Sequence, residues 1–144
     1  IETVKKLRWS PDIIHCHGWF TSLIPLYIKR AFKDNPLFSF STVIYSLYDD
    51  EFNEKLNQGL IKKLKFDKIK EVDLKNYRNP DYIKLAKSAM KYADAIVISS
   101  EKVNPELEEF ARATEKPLLE YQGQETYIEA YSDFYDKLLK NRKD

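Results

Sequence analysis

Residues 11–27 read PDIIHCHGWFTSLIPLY and indicate the fold class of this chain. Residues 12–16 are predicted to form a buried strand, with Pro11 just outside it, where a missing amide donor removes no ladder hydrogen bond. His15 and His17 share one face of that strand. The strand runs directly into a predicted helix, and ligands of parallel α/β sheets bind beyond the carboxyl ends of the strands. The stretch therefore predicts polar side chains facing a ligand site.

The rest of the chain alternates short apolar runs with amphipathic stretches, which predicts an α/β fold with a Rossmann-like, mostly parallel sheet flanked by helices. Further strands are predicted over residues 38–47, 94–100 and 117–121. Helices are predicted from Thr21 or Ser22 to Phe32, from the Asn79-Pro80 cap to residue 93, from the Asn104 cap to residue 113, and over the last 20 or so residues through Lys143. In the lysine-rich residues 55–75, nonpolar side chains recur only irregularly at helical spacing. These side chains are Leu56, Leu60, Leu64 and Phe66.

The length, composition and net charge of the sequence limit the classes of function that it can have. The 144 residues suit one domain, and 43% hydrophobic residues are enough for a core. A net charge of +1 argues against nucleic acid or an anionic membrane as a partner. Cys16 is the single cysteine, so no intrachain disulfide is possible and a reducing cytoplasm is expected. Three glycines exclude a glycine-rich phosphate loop within this sequence. Because Ile1 opens a helix-like stretch, we expect the chain to start inside a larger protein.

Residues 11–19 and the Thr-x-Leu-x-Pro-x-Tyr pattern of residues 21–27 resemble the glycogen and starch synthases. These are retaining glycosyltransferases that elongate α-1,4-glucan from ADP-glucose or UDP-glucose. Weaker similarity at residues 44–47, 86–94 and 97–101 extends the resemblance to about residue 107. It implies that residues 1–144 are a single α/β domain, the C-terminal portion of the N-terminal half of a GT-B fold, with the second GT-B domain absent. The implied partners are a nucleotide sugar and an α-glucan, together with a missing upstream segment or a partner domain, and no cofactor is implied.

The resemblance also implies a set of substrate-binding residues and no assigned catalytic residue. Gly18 stands where the family has an aspartate that faces the reacting glucose, Tyr45 replaces a histidine that contacts the donor sugar, and Ser46 replaces an asparagine. The family's lysine-glycine-glycine loop and the cations of its second domain lie outside this sequence. The implied substrate-binding residues are His17, Gly18, Trp19, Thr21, Tyr45, Ser46, Lys87 and Ser100.

Alternative interpretations accompany these assignments. His15 and His17 could begin a zinc site, but Cys16 points to the other face of the strand, and no metal site is predicted. Residues 49–51 fit a helix start better than metal-assisted chemistry. Trp19 could offer its ring to a sugar or merely pack the corner. Ser100 could cap the next segment, Lys87 could be an ordinary surface lysine, and the lysine-rich stretch suits a solvated face.

Three functions stay open at the level of sequence. The chain could be part of a glucan synthase, in which case Gly18→Asp with Tyr45→His should raise any residual rate. It could be a catalytically degenerate glucan-binding or regulatory relative. It could also be an α/β module that binds only protein partners, since a fold does not set an activity.

Overall fold

The computed structural model describes residues 1–57, 59–65 and 68–142. Phe66, which carried part of the predicted helical period, and Lys143, at the predicted end of the last helix, lie outside the described residues. In the described part of the chain, four strands form one parallel sheet with strand order β1-β2-β3-β4. The predicted α/β class is confirmed. The strands are β1 Ile13–His17, β2 Thr42–Leu47, β3 Ala95–Ile98 and β4 Leu118–Leu119.

Helices surround this sheet. Their bounds are α1 Glu2–Lys6, α2 Ile24–Leu26, α3 Leu60–Leu64, α4 Glu71–Leu74, α5 Tyr82–Tyr92, α6 Pro105–Ala113 and α7 Tyr127–Asn141, with 3₁₀ turns at Trp19–Thr21 and Lys75–Tyr77. Right-handed connections between strands in sequential order bring all crossover helices to one face. The core confirms this, because α5 packs with Tyr45 and Ile96 on that face, whereas Phe134 and Leu138 of α7 pack on Ile44 and Val97 on the other.

Strand β2 lies at the centre of the sheet and is buried along its whole length. It pairs in parallel with β1 and with β3, so His17 lies beside Ser46 and Ser46 lies beside Val97. A strand covered on both faces has an almost continuous run of nonpolar residues instead of an alternating pattern. The predicted strand began too early, because residues 35–41 form turns that include a hydrogen bond from Phe38 N to Asn35 O.

The helix predicted after β1 is interrupted. A 3₁₀ turn is followed by the short α2, and the chain then continues as one π-helical turn over Tyr27–Ala31. Thr21 does not cap the helix; its hydroxyl donates to the carbonyl oxygens of His17 and Gly18 at 3.0 and 3.1 Å. Pro25 lies in the first turn of α2, as expected, where its missing N–H removes no helical bond.

Of the helix starts predicted at Asn79, at residues 49–51 and at Asn104, two are wrong and one is confirmed. Asp81, not Asn79, caps α5, because its carboxylate accepts a hydrogen bond from Lys84 N at 2.8 Å. Residues 49–51 start no helix, since none is described over residues 48–57. Asn104 caps α6 as predicted and accepts from Glu106 N at 3.0 Å. The error at residues 49–51 matters because it conceals the hydrogen bonds of Asp50 with Trp19 and Tyr82.

Candidate functional site

His17 ends β1 at the carboxyl edge of the sheet, and its side chain is exposed. Its ring stacks on His15 with ring centres 4.1 Å apart, and Nδ1 lies 2.9 Å from the hydroxyl of Tyr48, just beyond β2. Register explains this proximity, because His17 and Ser46 are paired and Tyr48 follows two residues later. An exposed imidazole beside a phenol offers hydrogen-bonding groups to a polar ligand.

His15 lies lower on the same face of β1 and is held by α7. Its Nδ1 lies 2.7 Å from the Tyr135 hydroxyl and its Nε2 lies 2.7 Å from the Ser46 hydroxyl. Burial, together with the neighbouring His17, lowers the pKa of His15 from 6.5 to about 4. His15 is therefore neutral near pH 7, and its two ring nitrogens join the helix to the sheet, which agrees with a packing role.

The lowered pKa of His15 predicts an acid-sensitive fold. Between pH 6.5 and about 4, an unfolded chain takes up a proton at His15 that the folded chain does not. We expect the free energy of unfolding to decrease as the pH falls through this interval, and His15→Gln to flatten the decrease. Urea midpoints at pH 7 and pH 5 measure the effect. His17→Gln, at the exposed histidine, is the matched control and should remove less of the slope; an unchanged slope in His15→Gln would contradict the prediction.

Gly18 connects β1 to the 3₁₀ turn with a backbone that other residues rarely adopt, φ 67° and ψ −179°. A Cβ placed on Gly18 would lie 2.4 Å from Oδ2 of Asp50. That oxygen accepts a hydrogen bond from Trp19 N at 2.9 Å, while the other carboxylate oxygen accepts from the Tyr82 hydroxyl at 3.0 Å. The structure thus places a carboxylate of Asp50 over the glycine at which the resemblance expects an aspartate of the family.

Trp19 is half-buried at the same turn. Its ring centre lies 4.9 Å from that of Phe52 and 5.7 Å from that of Phe20, which is 85% exposed. The packing interpretation therefore accounts for one side of the indole. Trp19 also packs against the core that includes Tyr45 and Tyr82, and it directly follows Gly18 at the carboxyl end of β1.

Tyr45 and Ser46 lie beneath this surface instead of on it. Both side chains have 0% exposure, so neither can contact a ligand in this structure. Tyr45 points to the α5 face and packs in the core with Tyr82 and Met90. Ser46 points to the opposite face and bonds to His15. Both residues were expected to contact substrate, and this expectation is corrected here. Because β2 is covered on both faces, its pleat directs one side chain into each packed interior.

Lys87 and Ser100 have local partners. Lys87 Nζ lies 2.6 Å from a Glu106 carboxylate oxygen and 5.3 Å from the Phe110 ring centre, which joins α5 to α6. The Ser100 hydroxyl accepts from Asp49 N at 3.0 Å, so it positions the loop that carries Asp50. Of the expected residues, the structure brings together His17, Gly18, Trp19 and Thr21 at the end of β1. Gly18 itself is buried, beneath the Asp50 carboxylate. We call His17, Trp19, Tyr48 and Asp50, together with the buried Gly18, the β1-exit surface.

Tyr48 and Asp50 were missed because nothing local marks them. Both follow β2, and the register of parallel strands brings them beside the end of β1. Acidic residues ahead of a polar stretch resemble a helix start, so the local pattern gave a misleading signal at Asp50. A clue was available in Gly18, because a glycine directly after a strand marks close approach by another group.

Over the described ranges, no group of three or more His, Cys, Asp or Glu side chains is arranged to hold a metal ion. Cys16 is buried and free, and burial raises the pKa of its thiol to about 12. Among the described helices, none is long and apolar enough to cross a membrane.

Comparisons with known proteins bear on this site. The family model of the starch synthase catalytic domain matches residues 1–120. The chain is 30% identical over 102 residues to the glycogen synthase of Chlorobium limicola, and 31% identical over 100 residues to that of Chlorobium phaeovibrioides; each match covers 69% of this chain and 20% of the relative. It is 27% identical over 104 residues to the glycogen synthase of Clostridium perfringens, covering 70% and 21%. No solved structure matches the chain.

The chain spans about a fifth of the length of these relatives. The matched region includes all of β1, β2 and β3 and the β1-exit surface. The parallel sheet with flanking helices is consistent with a fragment of a GT-B glycosyltransferase. The predicted resemblance is confirmed, and the chain belongs to the family of the starch synthase catalytic domain.

Proposed function

We propose that this chain forms the glucan-binding part of a glucosyltransferase that transfers glucose from ADP-glucose, or UDP-glucose, to an α-1,4-glucan. The observation that carries the proposal is the β1-exit surface, where an exposed imidazole, a phenol, part of an indole and a carboxylate meet at the carboxyl ends of β1 and β2. Sugars present hydroxyls along their edges and C–H groups on their faces. Hydrogen-bonding side chains beside an aromatic ring suit both.

The chemistry of transfer requires more than these residues. Charge develops on the diphosphate as the bond to glucose breaks, and fixed cations must stabilise it. The contacts described for the β1-exit surface include no lysine or arginine. We therefore propose that the chain is one α/β domain, part of the N-terminal half of a GT-B enzyme, and that other segments supply the cations. A cytoplasmic location fits the single, unpaired cysteine.

Trp19 provides the test of glucan binding. We expect the 144-residue chain to be retarded by glycogen in affinity electrophoresis, and Trp19→Ala to weaken binding roughly tenfold, as expected for the loss of about 1.4 kcal/mol of contact energy. Trp19→Phe, which keeps an aromatic ring, should retain most of the binding. Trp9→Ala is the matched control, because Trp9 is 61% exposed and precedes β1 at the opposite edge of the sheet. Equal retardation of all variants would contradict the proposal.

A second function, a glucan-binding or regulatory relative without turnover, is favoured by the absence of a side chain at Gly18 and by the burial of Tyr45. Incorporation of labelled glucose from ADP-glucose into glycogen distinguishes the two. Turnover by the chain, or by a longer protein that contains it, supports the first function. Glucan binding that depends on Trp19 without turnover supports the second, and absence of both leaves only a module for protein partners.

A further inference from the structure

The carboxylate of Asp50 lies where the side chain of any residue other than glycine at position 18 would begin. The 2.4 Å separation between its Oδ2 and a Cβ built on Gly18 is far too short for two non-bonded atoms. Any other residue at position 18 would therefore push the carboxylate aside. The glycine and the aspartate are 32 positions apart, so this fit depends on the pairing of β1 with β2.

The carboxylate is held on two sides and remains able to accept more hydrogen bonds. Trp19 N donates to one oxygen at 2.9 Å, and the Tyr82 hydroxyl, whose single proton is shared with Tyr48 O, lies 3.0 Å from the other. An ionised carboxylate has about four acceptor sites, so about two are left. The residue is partly buried and not fully enclosed, so solvent reaches part of it. A group fixed in this way loses little conformational entropy when a ligand binds.

The charge around Asp50 determines which ligand suits it. Asp49 and Glu51 flank it in the chain, and in the described part of the protein none of the ion pairs involves these three acids. An uncompensated carboxylate repels a diphosphate and accepts hydrogen bonds from neutral hydroxyls. His17 and Tyr48 add neutral hydrogen-bonding groups nearby.

We propose that Asp50 binds hydroxyl groups of the uncharged glucan and makes the β1-exit surface selective for glucan over the nucleotide sugar. This inference rests on the proposed function and adds the residue and the charge that set its specificity. This arrangement also requires glycine at position 18, because a larger residue there would fill the volume in which the carboxylate lies.

The experiment is calorimetric titration of the 144-residue chain with maltoheptaose and with ADP-glucose. Asp50→Asn should weaken maltoheptaose binding roughly tenfold, because hydrogen bonds to a charged acceptor are lost. The variant should stay folded, since the amide oxygen can still accept from Trp19 N and the Tyr82 hydroxyl can still donate to Tyr48 O, which it already contacts at 2.8 Å. Glu54→Gln is the charge-matched control, because Glu54 is exposed in the same loop; it should change binding less than twofold.

The outcomes separate the inference from the proposed function. If Asp50→Asn binds maltoheptaose as the parent chain does while Trp19→Ala does not bind it, the inference is overturned and the glucan-binding function stands. An equal loss in Glu54→Gln also overturns it, because the effect would then come from net charge. If the parent chain binds no maltoheptaose, the proposed function itself fails. Competition on the parent chain needs no variant: ADP-glucose should not displace maltoheptaose, and displacement would refute the selectivity.

Discussion

Gly18→Asp should destabilise the chain instead of raising a residual rate. The backbone at Gly18 lies in a region that is nearly exclusive to glycine, and forcing another residue into it costs about 1–3 kcal/mol. The new side chain would also meet the Asp50 carboxylate, displace its hydrogen bonds to Trp19 N and Tyr82, and bring two like charges together. We expect a total loss of about 2–4 kcal/mol in the free energy of unfolding, measured by urea denaturation.

Gly123→Asp is the control for Gly18→Asp. No heavy atom lies within 4 Å of a Cβ built on Gly123, and its backbone is not in the left-handed region. This variant should change the free energy of unfolding by less than about 0.5 kcal/mol. The reasoning about Gly18 would be refuted by equal urea midpoints for Gly18→Asp and the parent chain, or by a higher rate of glucose incorporation in Gly18→Asp.

Tyr45→His should be the second strongly destabilising change. Tyr45 is fully buried among the core residues beneath α5, and a smaller, more polar imidazole would leave a cavity and lack hydrogen-bond partners. Cavity formation and the burial of an unpaired polar group predict a loss of about 3–5 kcal/mol. The readout is again the urea midpoint, together with the thermal midpoint.

Tyr45→Phe separates the role of the ring from the role of the hydroxyl. The Tyr45 hydroxyl oxygen has no hydrogen-bond partner among the described residues. Removing the hydroxyl therefore removes a buried polar group that makes no hydrogen bond. We expect Tyr45→Phe to be neutral, or more stable than the parent chain by up to about 1 kcal/mol. If Tyr45→His folded as stably as Tyr45→Phe, the argument from burial and cavity formation at position 45 would be refuted.

Local sequence patterns predicted most of the secondary structure. The proline-bounded apolar run gave β1 within one residue at each end, and Asn104-Pro105 gave the start of α6. These signals depend on short-range properties, namely side-chain volume at a strand and a hydrogen bond between a side chain and the nearest backbone N–H. The helix after β1 was harder, because Gly18 and the hydroxyl of Thr21 produce a 3₁₀ turn before α2 begins.

The positions of the candidate site residues were predicted correctly where the residues directly follow a strand that ends at the edge of the sheet. His17 and Trp19 follow the buried part of β1, so position along the strand was sufficient to place them. Tyr45 was misplaced because β2 is covered on both faces, and a nearly continuous nonpolar run gives no indication of which side chains reach solvent. Because successive side chains of a strand point to opposite faces of the sheet, Tyr45 points toward α5 and Ser46 points toward His15.

The amino-acid sequence alone determined the α/β class and the family, and it predicted the end of β1 as the place for a ligand, because all three depend on contiguous residues. Only the tertiary structure decided that Asp50 fills the space above Gly18, that Tyr82 holds it there and that α7 covers His15. These contacts join residues 32 to 120 positions apart. Strand register and helix packing bring such residues together, and the nearby sequence does not identify which distant residue will be the partner.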